Sequence, residues 1–221
     1  MKGIFTSIVA LATPLVLIGF GVRAVLLPIF PHLEYRSPGF PNDPYGFTGE
    51  ERVRWASMAW AYLVNDAEIS FLGNLRHDDG TTLFNERELQ HMVDVKRVLS
   101  QGMKVWIGAL ATTGLLAAIG WKLGLLPQLA RGLSLGGWIM VGAAVAVALV
   151  VVVGMSFNPD VFWSFFSAFH SLFFEGESWL FPTSDTLIRL FPIRYWQDAF
   201  LLGSVIALGG GLGLAFGLRP R

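Results

Sequence analysis

The chain has no cysteine among its 221 residues. It can therefore form no disulfide bond, and it offers no thiol nucleophile and no thiolate ligand for a metal. Charged residues make up only 14% of the sequence, whereas a soluble domain usually carries about 25%. The basic residues form no run and no stripe, so we expect no nucleic-acid partner. These absences point away from a soluble protein and towards a membrane protein.

Apolar residues replace the missing charge, at 53% of the chain with a mean hydropathy of +0.55. A helix needs roughly 20 apolar residues to cross a hydrocarbon core of about 30 Å. Four segments are long enough, namely residues 4–29, 105–126, 135–157 and 199–218. We predict four transmembrane helices. The first exceeds the apolar region of a signal peptide and lacks a cleavage site after it, so we expect it to remain as a span.

The charges near these spans are segregated. All sixteen acidic residues fall between positions 30 and 104 or between 158 and 198. The opposite side carries basic residues alone: Lys2, Lys122, Arg131, Arg219 and Arg221. Basic residues mark the cytoplasmic side, so we expect a multi-pass protein of the cytoplasmic membrane with both termini in the cytoplasm. Residues 31–100 and 158–197 are then extracytoplasmic segments of a single integral membrane domain over 1–221, and we expect them to form the active site.

Local patterns predict the structure of the two outer segments. Thr48 with Glu51, and Asn85 with Glu88, have capping-box spacing, so a helix should begin at each. Residues 69–75 and 81–84 flank a turn and favour a small β-hairpin, and the proline-rich residues 28–44 favour extended and turn structure. The aromatic residues 157–181 are expected to lie flat or re-enter. The predicted fold class is an all-α membrane protein: four transmembrane helices with an extracytoplasmic subdomain of short helices and a small β-hairpin.

Two histidines on separate outer segments are the strongest candidates for chemistry. His91 shares a helix face with Asp94, which could orient its ring, and His170 lies within the aromatic segment. Histidine is the side chain best suited to move protons near neutral pH. The alternatives are a wet helix surface around His91 and simple membrane anchoring by the aromatic segment. His32 and His77 are expected to be solvated.

Other functions remain open from the residues alone. His91, Asp94, His170 and Asp185 could supply four zinc ligands of a metal-dependent lipid or peptide hydrolase, and Ser167 or Ser171 could act as a nucleophile. A non-catalytic assembly partner is a further alternative. A carrier is disfavoured because, apart from Arg23, the spans are nearly devoid of ionisable residues. Glycines in the third and fourth spans are expected to permit close helix packing (Gly142, Gly203, Gly209, Gly210 and Gly211).

Two blocks of sequence resemble a known family. The first reads Glu88-x-x-His91-Met92-x-Asp94-Val95-Lys96. The second reads Phe169-His170-x-x-Phe173-Phe174, followed by Trp179, Asp185-x-Leu187-Ile188, Phe191-Pro192 and Trp196. Together they are similar to a family of small bacterial four-span membrane proteins that includes the lipoprotein intramolecular transacylase. The blocks cover about a quarter of the chain, and the layout of the spans extends the likeness along its length.

The resemblance implies a membrane acyltransferase. Its substrate would be a diacylated lipoprotein whose N-terminal cysteine bears a diacylglyceryl group, and the sn-2 acyl chain would move to the free α-amine. The implied catalytic residues are His91, His170 and Asp94. The implied substrate-binding residues are Glu88, Met92, Lys96, Phe173, Phe174, Trp179 and Asp185. No metal and no cofactor is implied, membrane lipids are the other partners, and a monomer is expected.

The chemistry of this reaction suggests roles for the histidines. An α-amine has a pKa of about 7.7–8.0 and is mostly protonated at neutral pH, so it needs a base. His91, oriented by Asp94, would accept that proton. His170 would protonate the departing glycerol oxygen or donate a hydrogen bond to the oxyanion. The two roles could be exchanged.

Overall fold

The computed structural model describes residues 2–157 and 160–218. Nine helices lie in these ranges: α1 (Lys2–Val25), α2 (Ile29–Glu34), α3 (Gly49–Val64), α4 (Ser70–Gly73), α5 (Glu86–Lys122), α6 (Leu126–Phe157), α7 (Val161–Ser171), α8 (Thr186–Leu190) and α9 (Ile193–Gly217). Four helical stretches are long and apolar enough to cross a membrane: Lys2–Val25, Glu86–Lys122, Leu126–Val151 and Ile193–Gly217. The predicted all-α fold with four spans is therefore confirmed. Two of the basic residues that mark the predicted cytoplasmic side, Arg219 and Arg221, lie outside the described ranges. The first two residues of the predicted extracytoplasmic segment 158–197 also lie outside them.

The chain divides into two compact units. The first unit comprises the described parts of Met1–Val25, Gln101–Val161 and Leu201–Arg221. The second unit comprises Leu26–Ser100 and Phe162–Phe200. The first unit therefore holds most of the apolar helical length, and the second holds nearly all of the two segments that the charge pattern sets apart.

The helices of the first unit present large apolar side chains outward. Leu11 is 69% exposed, Leu115 62% and Val150 70%. Surface of this kind is disfavoured in water and stable against lipid, where a helix also satisfies its own backbone hydrogen bonds. These surfaces identify lipid as the medium around the first unit.

Small residues allow close contact between helices in the first unit. A Cβ added at Gly136 of α6 would lie 2.4 Å from Cβ of Thr13 in α1, and one at Gly21 would lie 2.5 Å from the carbonyl oxygen of Gly203 in α9. Only glycine tolerates such an approach of backbones. The expected packing role holds for Gly210 and Gly211, where an added Cβ would lie 2.6 Å from Leu17 and 3.2 Å from Gly137; at Gly203 it would meet only ordinary contacts of 3.7 Å or more, and at Gly142 or Gly209 nothing within 4 Å.

Both predicted capping boxes form in the second unit. Thr48 Oγ1 accepts a hydrogen bond from the amide of Glu51 at 3.2 Å, and the amide of Thr48 donates to Glu51 Oε2 at 2.8 Å. Asn85 and Glu88 exchange the equivalent pair of bonds at the start of α5. These bonds satisfy amide groups that have no acceptor within the helix itself. They fix where α3 and α5 begin.

The predicted β-hairpin is wrong. Residues 70–73 form the single turn α4, and only an isolated antiparallel bridge joins Arg76 to Thr82. The reason is local: the amides of residues 71–74 donate to carbonyl groups three or four residues earlier, so they are not free for a strand ladder. The amide of Thr81 donates to Asp79 Oδ1 at 2.9 Å and tightens the turn instead.

The proline-rich segment also differs from expectation, because it contains the helix α2 (Ile29–Glu34). Pro28 is the N-cap of this helix and Pro31 lies in its first turn. The first amides of a helix have no intrahelical acceptor, so prolines at these positions cost no hydrogen bond. The prolines therefore start a helix here rather than prevent one.

Candidate active site

The candidate site lies within the second unit and is built from two helices and a loop. His91 lies in the second turn of α5, which the Asn85–Glu88 capping box begins. His170 lies near the end of α7 (Val161–Ser171). The loop that follows α7 supplies further aromatic rings. Local capping and helix geometry thus place both histidines.

The two imidazole rings face each other although they are far apart in sequence. Their centroids are 6.4 Å apart, with an angle of 21° between the ring planes. Phe174 contacts both rings, at 4.9 Å from His91 and 5.6 Å from His170. Phe181 contacts His91 at 5.4 Å. The structure therefore brings together the two histidines that the sequence singled out and surrounds them with apolar rings.

His170 is the better fixed of the two histidines. It is 8% exposed, and its ring contacts Phe166 at 4.0 Å and Trp179 at 4.7 Å. Its Nδ1 lies 2.8 Å from the carbonyl oxygen of Phe166. A carbonyl only accepts, so Nδ1 carries a proton and Nε2 of the neutral ring has a free lone pair. Burial lowers the pKa of His170, and the Phe166 carbonyl opposes this only in part, so the ring is neutral near pH 7.

His91 is half-buried, and its ring nitrogens make no hydrogen bond within the residues that the structure describes. The carboxylate of Asp94 does not accept a hydrogen bond from the His91 ring. Its carboxylate accepts from Arg97 at 3.3 Å and from Gln90 at 3.4 Å. Arg97 is one turn further along the helix face and draws the carboxylate towards itself. The expected hydrogen bond that would orient His91 is therefore not present, and Asp94 can act on the ring only through space.

Glu88 is buried beside the site and does not lie on its surface. Its side chain is only 1% exposed. One carboxylate oxygen accepts from the amide of Asn85 at 2.8 Å, and the other accepts from the amide of Leu187 at 2.6 Å. Leu187 belongs to the first turn of α8, where amides lack helical acceptors. Glu88 therefore joins the start of α5 to the start of α8.

Further hydrogen bonds strengthen the same connection. Thr186 Oγ1 donates to the carbonyl of Leu83 at 2.5 Å, and Asn85 Nδ2 donates to Asp185 Oδ2 at 3.3 Å. Arg87 donates to the carbonyl of Leu180. Asp185, which the resemblance places among the substrate-binding residues, thus contributes to holding the two segments together.

Some of the remaining predicted substrate-binding residues lie beside the histidines, and others do not. Phe174 and Trp179 touch the histidines, and Phe173 is 47% exposed beside Phe174. Met92 is buried at 4% exposure. Lys96 is directed elsewhere: its Nζ donates to the carbonyl of Ala67 at 2.6 Å. Lys96 therefore anchors the loop after α3 and does not meet the histidines.

Phe166 and Phe181 contact the histidines, and neither was predicted from the sequence to do so. Phe166 precedes His170 by four residues, so helix periodicity alone places the two on one face. No equivalent local signal exists for Phe181, because a loop carries its ring to His91. Sequence spacing could have identified the first of these rings and not the second.

The four residues of the zinc alternative do not form a ligand set. Across residues 2–157 and 160–218, no three His, Asp or Glu side chains converge as metal ligands would. Asp94 faces Arg97 and Asp185 faces Asn85, which takes both carboxylates away from the histidine pair. The arrangement that remains is two imidazoles in an aromatic environment, a set suited to proton transfer.

Four membrane-crossing helices and a pair of facing histidines define an integral-membrane protein of helical type with a candidate acid–base site. Comparison with known families is more specific: the model of the family described as lipoprotein intramolecular transacylase Lit matches residues 7–196. The chain belongs to this family. It is accordingly an integral-membrane transacylase that acts on lipoproteins, and the resemblance drawn from the sequence motifs is confirmed.

Individual relatives are similar to the chain along nearly its whole length. The structure of the membrane integral lipoprotein intramolecular transacylase Lit from Bacillus cereus superposes with a TM-score of 0.75 at 21% identity, over 97% of this chain and 92% of that one. A variant of the same protein with one histidine replaced by alanine gives a TM-score of 0.71 at 21% identity, over 99% of this chain and 92% of that one. An uncharacterized protein of Aquifex aeolicus (strain VF5) is 28% identical, over 98% of this chain and 97% of its own length.

Proposed function

We propose that the enzyme moves the sn-2 acyl chain of a diacylglyceryl-cysteine lipoprotein to the α-amine of that same cysteine, and that His91 and His170 carry the protons of this transfer. The observation that supports the proposal is the facing pair of imidazoles at 6.4 Å inside an aromatic environment. All the residues of the proposed site come from one chain, so a monomer suffices.

The reaction requires two proton transfers. The amine nitrogen forms a bond to the ester carbonyl carbon, and the bond from that carbon to the glycerol oxygen breaks. An ammonium group starts with three protons and the product amide keeps one. One of the other two goes to the glycerol oxygen, and the last goes to solvent. Because an α-ammonium has a pKa of about 7.7–8.0, a neutral imidazole is a suitable acceptor for it.

The environments of the two histidines suggest one transfer for each. His91 is half-buried and its nitrogens are unbonded among the described residues, so its lone pair can relay the first proton from the ammonium to solvent without holding it. His170 is buried, and its Nδ1–H is held by Phe166, which leaves Nε2 free. His170 Nε2 then takes the second proton from the attacking nitrogen and donates it to the departing glycerol oxygen.

The aromatic rings favour amide formation over hydrolysis. Phe174 contacts both histidines, and Phe166 and Trp179 cover His170. Rings packed in this way exclude water that would compete with the amine. The amine and the ester belong to one molecule, so holding them in contact supplies much of the rate by orientation.

A direct experiment tests this function. We expect the N-terminal peptide of a diacylated lipoprotein, incubated with the purified enzyme in detergent, to keep its mass while one acyl chain moves from glycerol to nitrogen. Tandem mass spectrometry locates the chain, and mild alkali then releases one ester-bound chain instead of two. Two alkali-labile chains after incubation, or a product that has lost the mass of one acyl chain, would contradict the proposal; the second result would indicate a hydrolase.

We further propose that the site faces the extracytoplasmic side of the cytoplasmic membrane. The support is the charge pattern: α5 ends at Lys122 and α6 carries Arg131, with no acidic residue near either. Fifteen of the sixteen acidic residues lie in the second unit, the exception being Asp160.

Cysteine labelling checks this orientation cleanly because the native chain has no cysteine. Asp78→Cys, at an exposed turn of the second unit, is expected to react with a membrane-impermeant maleimide in intact cells. Lys122→Cys, equally exposed at the end of α5, is the matched control and should react only after the cells are lysed. Labelling in the reverse order would place the histidines on the cytoplasmic side.

A further inference from the structure

The histidine pair leaves one requirement of acyl transfer unmet. When the amine attacks the ester, the carbonyl oxygen becomes negatively charged, and the largest stabilisation usually comes from hydrogen-bond donors aimed at that oxygen. His170 cannot be the donor through Nδ1, because that N–H is committed to the carbonyl of Phe166. Its Nε2 is needed to move a proton. His91 uses its lone pair as a proton acceptor and has a single N–H, so a second donor beside the rings would complete the hydrogen bonds that the oxyanion can accept.

Trp179 carries such a donor. Its side chain is 8% exposed, and its ring contacts the ring of His170 at 4.7 Å. Its Nε1–H is buried and has no hydrogen-bond partner among the described residues. An indole N–H only donates, and a buried donor without an acceptor is costly and uncommon in native proteins. A substrate oxygen would supply the missing acceptor.

Among the described residues, Trp179 alone combines a buried, unpartnered polar atom with a ring contact to one of the histidines. The remaining buried side-chain atoms without a partner in the described ranges belong to Glu34, Ser37, Arg52, Ser57, Gln128 and Tyr195. Tyr195 is the one aromatic residue in this set, and its ring packs against Tyr35, Trp60 and Phe191 rather than against a histidine. Trp179 is thus singled out by two independent observations, the unpartnered N–H and the contact with His170.

We propose that Trp179 is a further catalytic residue, whose Nε1–H donates a hydrogen bond to the ester carbonyl oxygen and holds the oxyanion formed when the amine attacks. This proposal rests on the acyl transfer proposed above. The indole gives up no proton at any step: it binds the oxygen as the N–C bond forms, and it releases a neutral amide carbonyl when the C–O bond to glycerol breaks. Its apolar ring also fits among the phenylalanines around His170.

The variant Trp179→Phe removes the N–H and keeps an aromatic ring. We expect kcat to fall by about 10²-fold, the loss that follows removal of one oxyanion donor, with KM little changed. The melting temperature in detergent should stay the same or rise, because a buried donor without a partner has been removed. A merely structural role predicts the opposite for stability, namely a lower melting temperature together with lower activity.

Trp163→Phe is the matched control. Trp163 lies in the same aromatic group, 6.1 Å from Trp179, but it is 47% exposed and does not contact either histidine. We expect this variant to keep kcat within about threefold of the wild type, since its N–H is free to meet solvent. Equal losses in both variants would show that packing of the aromatic group matters and would overturn the proposal.

Two results overturn the role of Trp179 without touching the acyl transfer itself. One is full kcat in Trp179→Phe, and the other is a loss of activity that follows a loss of stability. Both require a wild-type enzyme that forms the N-acylated product. A wild-type enzyme that fails to form it would instead remove the proposed function, so the two failures are distinguishable.

Discussion

His170→Ala should lower the rate of acyl transfer by roughly 10²–10⁴-fold, the range that a positioned acid–base group contributes. The variant loses Nε2, which is the only nitrogen of this ring with a free lone pair, since Nδ1–H is bonded to Phe166. His91→Ala should lose activity in the same range because His170 Nε2 alone would then have to accept both protons of the ammonium. The measurement is single-turnover formation of the N-acylated lipoprotein peptide.

Controls separate the loss of a proton carrier from a loss of folding. His32→Ala removes a half-buried histidine whose Nδ1 lies 3.2 Å from the carbonyl oxygen of Pro28, with no other hydrogen bond of its ring among the described residues, and it should be fully active. His170→Gln keeps most of the side-chain volume and cannot carry a proton at neutral pH, so it should be as inactive as His170→Ala while melting near the wild-type temperature. An active glutamine variant would remove the proton-transfer role of His170.

The parts of this protein that follow local rules were predictable from the sequence. The spans were evident because their length and composition admit no other structure of that size. The starts of α3 and α5 followed from Thr48 with Glu51 and from Asn85 with Glu88, since a capping box acts over only three residues. The β-hairpin was also predicted from local sequence, and that prediction was wrong. The apolar residues 69–75 suit a helical turn as well as a strand.

The partners of the site residues could not be read from local pattern. The spacing of Asp94 suggested an interaction with His91, but a cation one turn further on takes its carboxylate. Glu88 was expected to contact the substrate, but its carboxylate accepts a hydrogen bond from the amide of Leu187, 99 positions away in sequence. Trp179 was identified as a binding residue without any sign that its N–H is unpaired. The pairing of Asp94 with Arg97 is local, but the other two facts depend on how the two outer segments meet, and short-range patterns contain no information about that.

The hydrogen bond between Leu187 and Glu88 changes how the motif Glu88-x-x-His91 is interpreted. Glu88 and His91 are separated by less than one helical turn, so a residue that fixes the start of α5 also fixes the position of the first histidine. Its second oxygen fixes α8, which follows the loop that carries Trp179 and Phe181. The positions of His91 and of this loop therefore depend on the buried carboxylate of Glu88.

Glu88→Ala is accordingly expected to destabilise the second unit by about 3 kcal/mol, because two backbone amides lose their acceptor and one of them, that of Leu187, remains buried. Activity should fall with stability, since neither His91 nor the loop before α8 is then held in place. Glu88→Gln should lie between, because its single oxygen can accept from one amide while its NH₂ group opposes the other. Melting curves in detergent, paired with transfer assays well below the melting temperature, check both effects.

The matched control is Glu86→Ala, two residues earlier in the same first turn. Glu86 is exposed, so its removal should change the melting temperature little. A Glu88→Ala variant that melts with the wild type yet fails to bind substrate would return this residue to a direct contact with the lipoprotein. The expected result, a joint loss of stability and activity that glutamine partly restores, identifies Glu88 as the residue that holds the two catalytic segments together.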